Sequence, residues 1–165
     1  MQIYEDYSAI IKAVFLWADN NKVQEHNLMS TLSSTDAQAL LSAAEQVIQN
    51  AYEPYSHYPV GAAILLGDNS VVTGVNVENA AYPSGICAER VAIGNAVSQG
   101  KKDFKAIAVY SPKGDISPCG MCRQTISEFG PDITLVFKWQ GEIRQLPISE
   151  LLPFSFSNET MGKDN

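Results

Sequence analysis

The spacing of apolar residues predicts two helices in the first third of the chain. Residues 4–18 carry apolar side chains at helical spacing. A second apolar series runs to Ala51, and Thr35 with Gln38 forms a capping-box pattern at its start. We therefore expect an amphipathic helix over 4–18 and a second helix that begins at Thr35 and stops before Pro54.

After Pro54 the apolar pattern alternates between strand-like and helix-like periods. Turn-forming residues at 67–70 and at Gln140-Gly141 predict two hairpins. The order of the elements predicts a three-layer α/β/α sandwich with a mixed five-stranded sheet. The predicted elements are strands over 60–66 and 71–77, a helix over 88–99, a strand over 105–110, a helix over 120–129, and strands over 133–139 and 142–146.

Composition narrows the class of protein. A chain of 165 residues with 45% hydrophobic content is long enough for one globular domain with a sizeable core. The net charge of −7 works against binding DNA or RNA. Lys12 interrupts the apolar stretch 9–18, and acidic residues precede it, so we expect neither secretion nor a membrane span.

All three cysteines lie in two short segments, Cys87-Ala88-Glu89-Arg90 and Pro118-Cys119-Gly120-Met121-Cys122. An odd cysteine count leaves no disulfide framework and indicates a cytoplasmic protein. Three thiolates can hold a tetrahedral Zn²⁺ and leave its fourth position for water. Three ordinary buried cysteines are the alternative, but chance would seldom give this spacing. We predict one zinc ion per chain, held by Cys87, Cys119 and Cys122.

Three further residues near the cysteines have predicted roles. Glu89 suits a general acid and base over the metal-bound water, and a glutamate favoured by the helix dipole is the alternative. Arg90 and Gln124 can donate hydrogen bonds to sulfur and offset the charge of three thiolates. For both residues, a solvated position on a helix is the alternative.

A second group of candidates lies upstream. Asn76 and Glu78 share one face of the second predicted strand, where they can grip vicinal hydroxyls. Tyr55 and Tyr58 can supply an aromatic wall. The alternatives are a solvated strand face for the polar pair and core packing for the tyrosines.

Four segments together resemble the small cytidine deaminases, in the order that family has them. The resemblance extends over about residues 36–156, and three cysteines are a known ligand set of zinc deaminases. The segments are Pro54-Tyr55-Ser56-His57-Tyr58-Pro59-Val60-Gly61-Ala62-Ala63, Gly74-Val75-Asn76-Val77-Glu78-Asn79-Ala80, Cys87-Ala88-Glu89-Arg90 and Pro118-Cys119-Gly120-Met121-Cys122-Arg123-Gln124.

The resemblance implies zinc-dependent hydrolytic deamination of cytidine and 2′-deoxycytidine at C4 of the ring, with release of ammonia, in pyrimidine salvage. Glu89 would move the protons, and the backbone at Ala88 and near Ser117 would hold the pyrimidine edge. Asn76 and Glu78 would bind the ribose 3′-hydroxyl. Tyr58 would stack on the base, although the family usually has phenylalanine there, so substrate range is an open question.

The resemblance also implies a homotetramer. The loop from Ala80 to Tyr82 and the C-terminal Phe156 would reach a neighbouring subunit's site. The expected organisation is an N-terminal helical extension over 1–34, a deaminase domain over 35–157 and a disordered tail over 158–165. The extension has no counterpart in the short family members, and its role is open.

Two other classes of protein stay open at this point. A structural zinc module would need a fourth protein ligand, such as His57 or His26. A deaminase of bases within RNA or DNA would need a basic groove, which the acidic charge disfavours. A nucleotide substrate is disfavoured because no basic pair flanks Asn76 and Glu78.

Overall fold

The computed structural model describes residues 31–157 and 160–162, which belong to one compact unit, Thr31–Asn165. The predicted helix over 4–18 lies outside the described residues. The predicted division into an extension over 1–34, a deaminase domain over 35–157 and a tail over 158–165 stays a prediction. Within the described ranges, no helix is long and apolar enough to cross a membrane.

A mixed sheet of five strands forms the centre of this unit, in the order β2-β1-β3-β4-β5. All neighbouring strands are antiparallel except β3 and β4, which are parallel. This confirms the predicted mixed five-stranded sheet. The strands are β1 Gly61–Leu66, β2 Val71–Val75, β3 Phe104–Tyr110, β4 Thr134–Trp139 and β5 Glu142–Pro147; the helices are α1 Ser34–Val47, α2 Ala88–Ser98, α3 Gly120–Ser127 and α4 Ile148–Leu151, with 3₁₀ turns at Ile48–Asn50 and Tyr82–Ser84.

Helices cover both faces of the sheet, so the predicted three-layer architecture is confirmed. Leu41 of α1 packs with Ala106 and Ala108 of β3 on one face. On the other face, α2 and α3 pack on Ile107 and Val109 of the same strand. Successive side chains of β3 therefore point into two different hydrophobic cores, and those that face α1 are the small residues Ala106 and Ala108.

Both predicted hairpin turns are present. Gln140 and Gly141 have φ of 54° and 80°, the positive values that a two-residue type I′ turn requires. In the turn between β1 and β2, Asn69 has φ of 64° and donates its backbone N–H to the carbonyl of Leu66. These turns set the register of the antiparallel pairs.

Some boundary predictions are wrong; helix α3, for instance, ends at Ser127 rather than at residue 129. Helix α1 begins at Ser34, and its cap is Ser33, whose hydroxyl accepts a hydrogen bond from the backbone of Asp36. Thr35 is therefore inside the first turn. The second strand ends at Val75 rather than at residue 77, because Val77 forms only isolated bridges to other segments.

Helix α2 lies in unusually close contact with β2. A side chain at Gly74 would overlap the backbone nitrogen of Ala92 and the carbonyl of Ala88. Glycine at this position lets the helix backbone rest directly on the strand. The first turn of α2, which carries Glu89, is therefore placed by the backbone of β2.

Candidate active site

Two helix N-termini meet at the cysteine cluster. Cys87 is the N-cap residue of α2, and Cys119 is the N-cap residue of α3. Neither thiol caps its helix through a side-chain hydrogen bond. Cys122 lies one turn into α3 and is buried. All three sulfurs are therefore available to a ligand at a point where two helix dipoles favour negative charge.

The spacing of the sulfurs fits a tetrahedral metal. All three Sγ atoms lie within 4.8 Å of one another, and those of Cys87 and Cys119 are 4.0 Å apart. Tetrahedral Zn–S bonds of about 2.3 Å give an S–S separation of about 3.8 Å. In the described part of the chain, no fourth histidine, cysteine or carboxylate joins this cluster. The donor set therefore leaves one coordination position open, as catalytic zinc sites do.

Hydrogen bonds within the cluster make one thiol acidic. The thiol of Cys122 and then that of Cys119, together with Arg90, lower the pKa of Cys87. The hydrogen bond to Cys87 raises the pKa of Cys122, and burial adds to this effect. The lowered pKa of Cys87 favours a thiolate there, and the raised pKa of Cys122 favours a thiol. A divalent cation is what would allow all three to ionise.

Arg90 has an unused donor next to this charge. Its Nη2 donates to the carbonyl of Gly85 at 3.3 Å, while its buried Nε has no hydrogen-bond partner. The guanidinium is close enough to Cys87 to lower the pKa of that thiol. This placement fits the predicted role of Arg90 beside sulfur.

Glu89 is a buried carboxyl in the first turn of α2. Only 3% of its surface is exposed. Burial is the main cause that raises its pKa, and the nearby Cys87 charge adds to it. The group therefore holds a proton more readily than an exposed glutamate, while its side chain lines the same cavity as Cys87 and Cys119.

A cavity of about 620 Å³ opens above the cluster. Its volume is typical of a pocket for a small organic molecule. Most of the predicted site residues line this cavity, although they come from distant parts of the chain. The predicted residues on its wall are Tyr58, Asn76, Glu78, Tyr82, Cys87, Ala88, Glu89 and Cys119.

Asn76 and Glu78 fasten the segment that carries Tyr58. The amide of Asn76 accepts from the Val60 backbone at 2.8 Å and donates to the Tyr58 carbonyl at 2.9 Å. The Glu78 carboxylate accepts from the backbones of Tyr55 and Ser56 at 2.9 and 3.1 Å. Ser56 is the main cause that lowers the pKa of Glu78, which keeps this wall of the cavity anionic.

Five predicted site residues lie outside the cavity wall: Arg90 and Cys122, described above, and Ala80, Gln124 and Phe156. Ala80 and Phe156 are exposed. Gln124 donates from Nε2 to the backbone carbonyl of Phe156 at 2.7 Å, so this hydrogen bond goes to the C-terminal segment and not to a sulfur. His57 is also remote from the sulfurs: it is exposed and pairs with Glu53 at 3.5 Å.

Several residues of the cavity wall could not be predicted from the local sequence pattern. Asp115 and Ile116 precede the second cysteine segment, and Trp139 ends β4. Asp115 accepts a hydrogen bond from the backbone of Gln140, which joins this loop to the β4–β5 turn. Their proximity follows from the order of the strands, which the local sequence pattern does not contain.

Comparison with known proteins agrees with this geometry. The profile of the family described as "Cytidine and deoxycytidylate deaminase zinc-binding region" matches residues 34–138. A cytidine deaminase from Halalkalibacterium halodurans is 46% identical over 130 residues, which cover 77% of this chain and 98% of the relative. One from Sporosarcina psychrophila is 42% identical over 130 residues, covering 77% and 96%.

A solved structure gives the same result for the fold. The crystal structure of cytidine deaminase from Burkholderia pseudomallei matches with a TM-score of 0.69 and 41% identity, and the match covers 76% of this chain and 100% of that one. Fold and site thus define a zinc-binding deaminase domain. The chain belongs to the cytidine and deoxycytidylate deaminase family.

The predicted family, fold and zinc cofactor are therefore confirmed. The structural zinc module is not supported by the described residues, because the cluster offers three ligands and His57 lies elsewhere.

Proposed function

We propose that this protein hydrolyses cytidine and 2′-deoxycytidine to the corresponding uracil nucleosides and ammonia. The observation that supports this most strongly is the buried Glu89 carboxyl, placed with Cys87 and Cys119 on the wall of a cavity of about 620 Å³. This is the set of groups that water addition to a ring carbon and departure of an amine require.

The residues of the chain have separate tasks in this proposal. Cys87, Cys119 and Cys122 would hold the zinc ion, which would supply Lewis-acid activation of water. Glu89 accepts a proton from that water, delivers one to ring N3 and assists the amine as it leaves. A proton carrier works best when its pKa is near the operating pH, and burial raises the pKa of Glu89 towards that range.

A free nucleoside suits the far wall of the cavity. Asn76 and Glu78 are assigned to the sugar, and Tyr58, held by the Asn76 amide, is assigned to the base. The Glu78 carboxylate repels a phosphate, and the net charge of −7 disfavours a polynucleotide. The backbone of Ala88 and the segment at Ser117 are assigned to the pyrimidine edge.

We assign the assembly as a homotetramer. Large apolar side chains lie open on the described surface, among them Tyr82 at 76% and Phe156 at 62% exposure. Where such side chains form a contiguous apolar patch, the patch marks a protein–protein interaction site. The segment from Ala80 to Tyr82 and Phe156 are the parts proposed to reach the site of a neighbouring subunit.

We also assign the protein to the cytosol and to pyrimidine salvage. Its three free thiols form one cluster and must stay reduced to bind a metal. The proposed product keeps its sugar, so it serves reuse of nucleosides rather than their breakdown.

The test compares substrates with purified, zinc-loaded protein. Conversion of cytidine to uridine is followed by the loss of cytosine absorbance, beside cytidine monophosphate and a cytosine-containing oligonucleotide at equal cytosine concentration. We expect turnover of the nucleosides and little of the other two. Faster deamination of the oligonucleotide would contradict the substrate assignment. Stoichiometric zinc with no turnover would point to another amine substrate.

A further inference from the structure

Arg123, the residue after Cys122, makes three hydrogen bonds to two separate segments of the chain. Its Nε donates to the Pro118 carbonyl at 2.8 Å, its Nη1 to the Leu151 carbonyl at 3.0 Å, and its Nη2 to the Ser117 hydroxyl at 3.4 Å. We propose that Arg123 is a positioning residue, which holds the segment Ser117–Cys119 in register with the metal site. Its effect on turnover depends on the proposed function, whereas its effect on metal retention does not.

Two of the hydrogen bonds of Arg123 go to the residues directly before the metal ligand Cys119. The Pro118 carbonyl directly precedes Cys119, and Pro118 is itself buried. Ser117 and Cys119 line the cavity on either side of it. Because Nε holds the Pro118 carbonyl, the backbone that delivers one sulfur and the backbone beside the cavity are fixed by a single side chain.

The hydrogen bond to Leu151 connects Arg123 to a distant part of the chain. Leu151 is the last residue of α4, the short helix that follows β5. Arg123 thus connects the start of α3 to the end of α4. The neighbouring Gln124 reaches further along the same segment, to the Phe156 carbonyl at 2.7 Å.

The geometry requires a guanidinium and not merely a positive charge. Arg123 forms none of the ion pairs in the described part of the chain, and all three of its acceptors are neutral. A planar fork with five N–H groups can donate in three directions at once. Lysine has its donors at one point and cannot span the same acceptors.

The experiment compares Arg123→Lys with Arg144→Lys. A second cavity of about 500 Å³ is lined by both Arg123 and Arg144. Arg144 is exposed and pairs with Glu142 at 2.9 Å. Two rates are measured on zinc-loaded protein: release of zinc to a chromophoric chelator, and kcat/KM for cytidine. In Arg123→Lys we expect zinc release to rise, and kcat/KM to fall, by about 10- to 100-fold. Arg144→Lys should match the wild type in both.

A rescue measurement separates geometry from general stability. Methylguanidinium added to Arg123→Gly should restore slow zinc release, because it supplies the missing fork. Wild-type zinc release and kcat/KM in Arg123→Lys, with only a lower melting temperature, would overturn the proposal.

Two further outcomes are decisive. If Arg123→Lys and Arg123→Gln both fail to fold, Arg123 serves stability alone and the proposal is wrong. If the wild type does not turn over cytidine, the proposed function fails while zinc release still decides the role of Arg123.

Discussion

The local sequence indicates a proton-transfer role for Glu89 but does not indicate that its side chain is buried. Its proposed role as proton carrier rests on the sequence, because Glu89 follows Cys87 by two residues. Its burial could not be predicted, since that depends on how α2 rests on the sheet. The hydrogen bonds of Asn76 and Glu78 were likewise beyond prediction, because they depend on the path of the backbone from Tyr55 to Val60.

Replacement of Glu89 by glutamine keeps the shape of the side chain and removes its proton chemistry. We expect Glu89→Gln to fold, to retain one zinc per chain and to lose about 10²- to 10⁴-fold in kcat. Activity assays and metal analysis check this, with Glu150→Gln, an exposed glutamate of α4, as the control. Wild-type turnover in Glu89→Gln would rule out its assigned role.

Phe154 has a strained backbone. Its φ is 58°, in the left-handed region, and its ring is fully exposed, so packing within the described chain does not offset the strain. The left-handed conformation costs a residue with a Cβ about 1–2 kcal/mol, part of which glycine's greater entropy loss cancels. We expect Phe154→Gly to raise the free energy of unfolding by about 0.5–1 kcal/mol.

Denaturant unfolding at a single protein concentration measures this change. Phe154→Ala is the matched control, because it removes the ring but keeps the Cβ. Equal stabilisation in both variants would show that the exposed ring, and not the backbone, is the unfavourable element.

At the scale of elements, the contact of α2 with β2 has a direct test. Gly74→Ala introduces a methyl group where the backbone of Ala88 and Ala92 lies. We expect a loss of about 1–3 kcal/mol in the free energy of unfolding. Because α2 begins at Cys87, we also expect weaker zinc retention.

Gly94 on the same helix is the control. A side chain there would meet no atom within 4 Å. Gly94→Ala should therefore raise the free energy of unfolding by about 0.5–1 kcal/mol through its better helix propensity. Unfolding curves that move both variants in the same direction would contradict this account of the packing.

The helices and strands were predicted well where apolar period and turn chemistry agree. Gln140-Gly141 specified its hairpin because both positions accept positive φ. The cap of α1 was misplaced because Ser33, Ser34 and Thr35 are all capping residues, and only the bond from Asp36 selects Ser33. The short helix α4 and the 3₁₀ turns were missed because they are too short to show a period.

At the scale of the whole molecule, the metal should couple to stability. We expect Cys119→Ala to bind less zinc and to melt at a lower temperature, because ligand binding to the folded state adds to its stability. Scanning calorimetry and metal analysis test this, with Met121→Ala, an exposed neighbour, as the reference. An unchanged melting temperature would separate the metal from folding.

The position of the three ligands also makes the metal a crosslink in the sense of polymer physics. Cys87 and Cys119 are 32 residues apart, and the intervening loop contains all of α2 and β3. Closing a loop of that length removes unfolded-state entropy equivalent to about 3–4 kcal/mol near room temperature, as a disulfide would in the chain-entropy description. A chain that kept its zinc on unfolding would refold from a smaller set of unfolded conformations. In these conformations, the segments that form the starts of α2 and α3 would already lie close together.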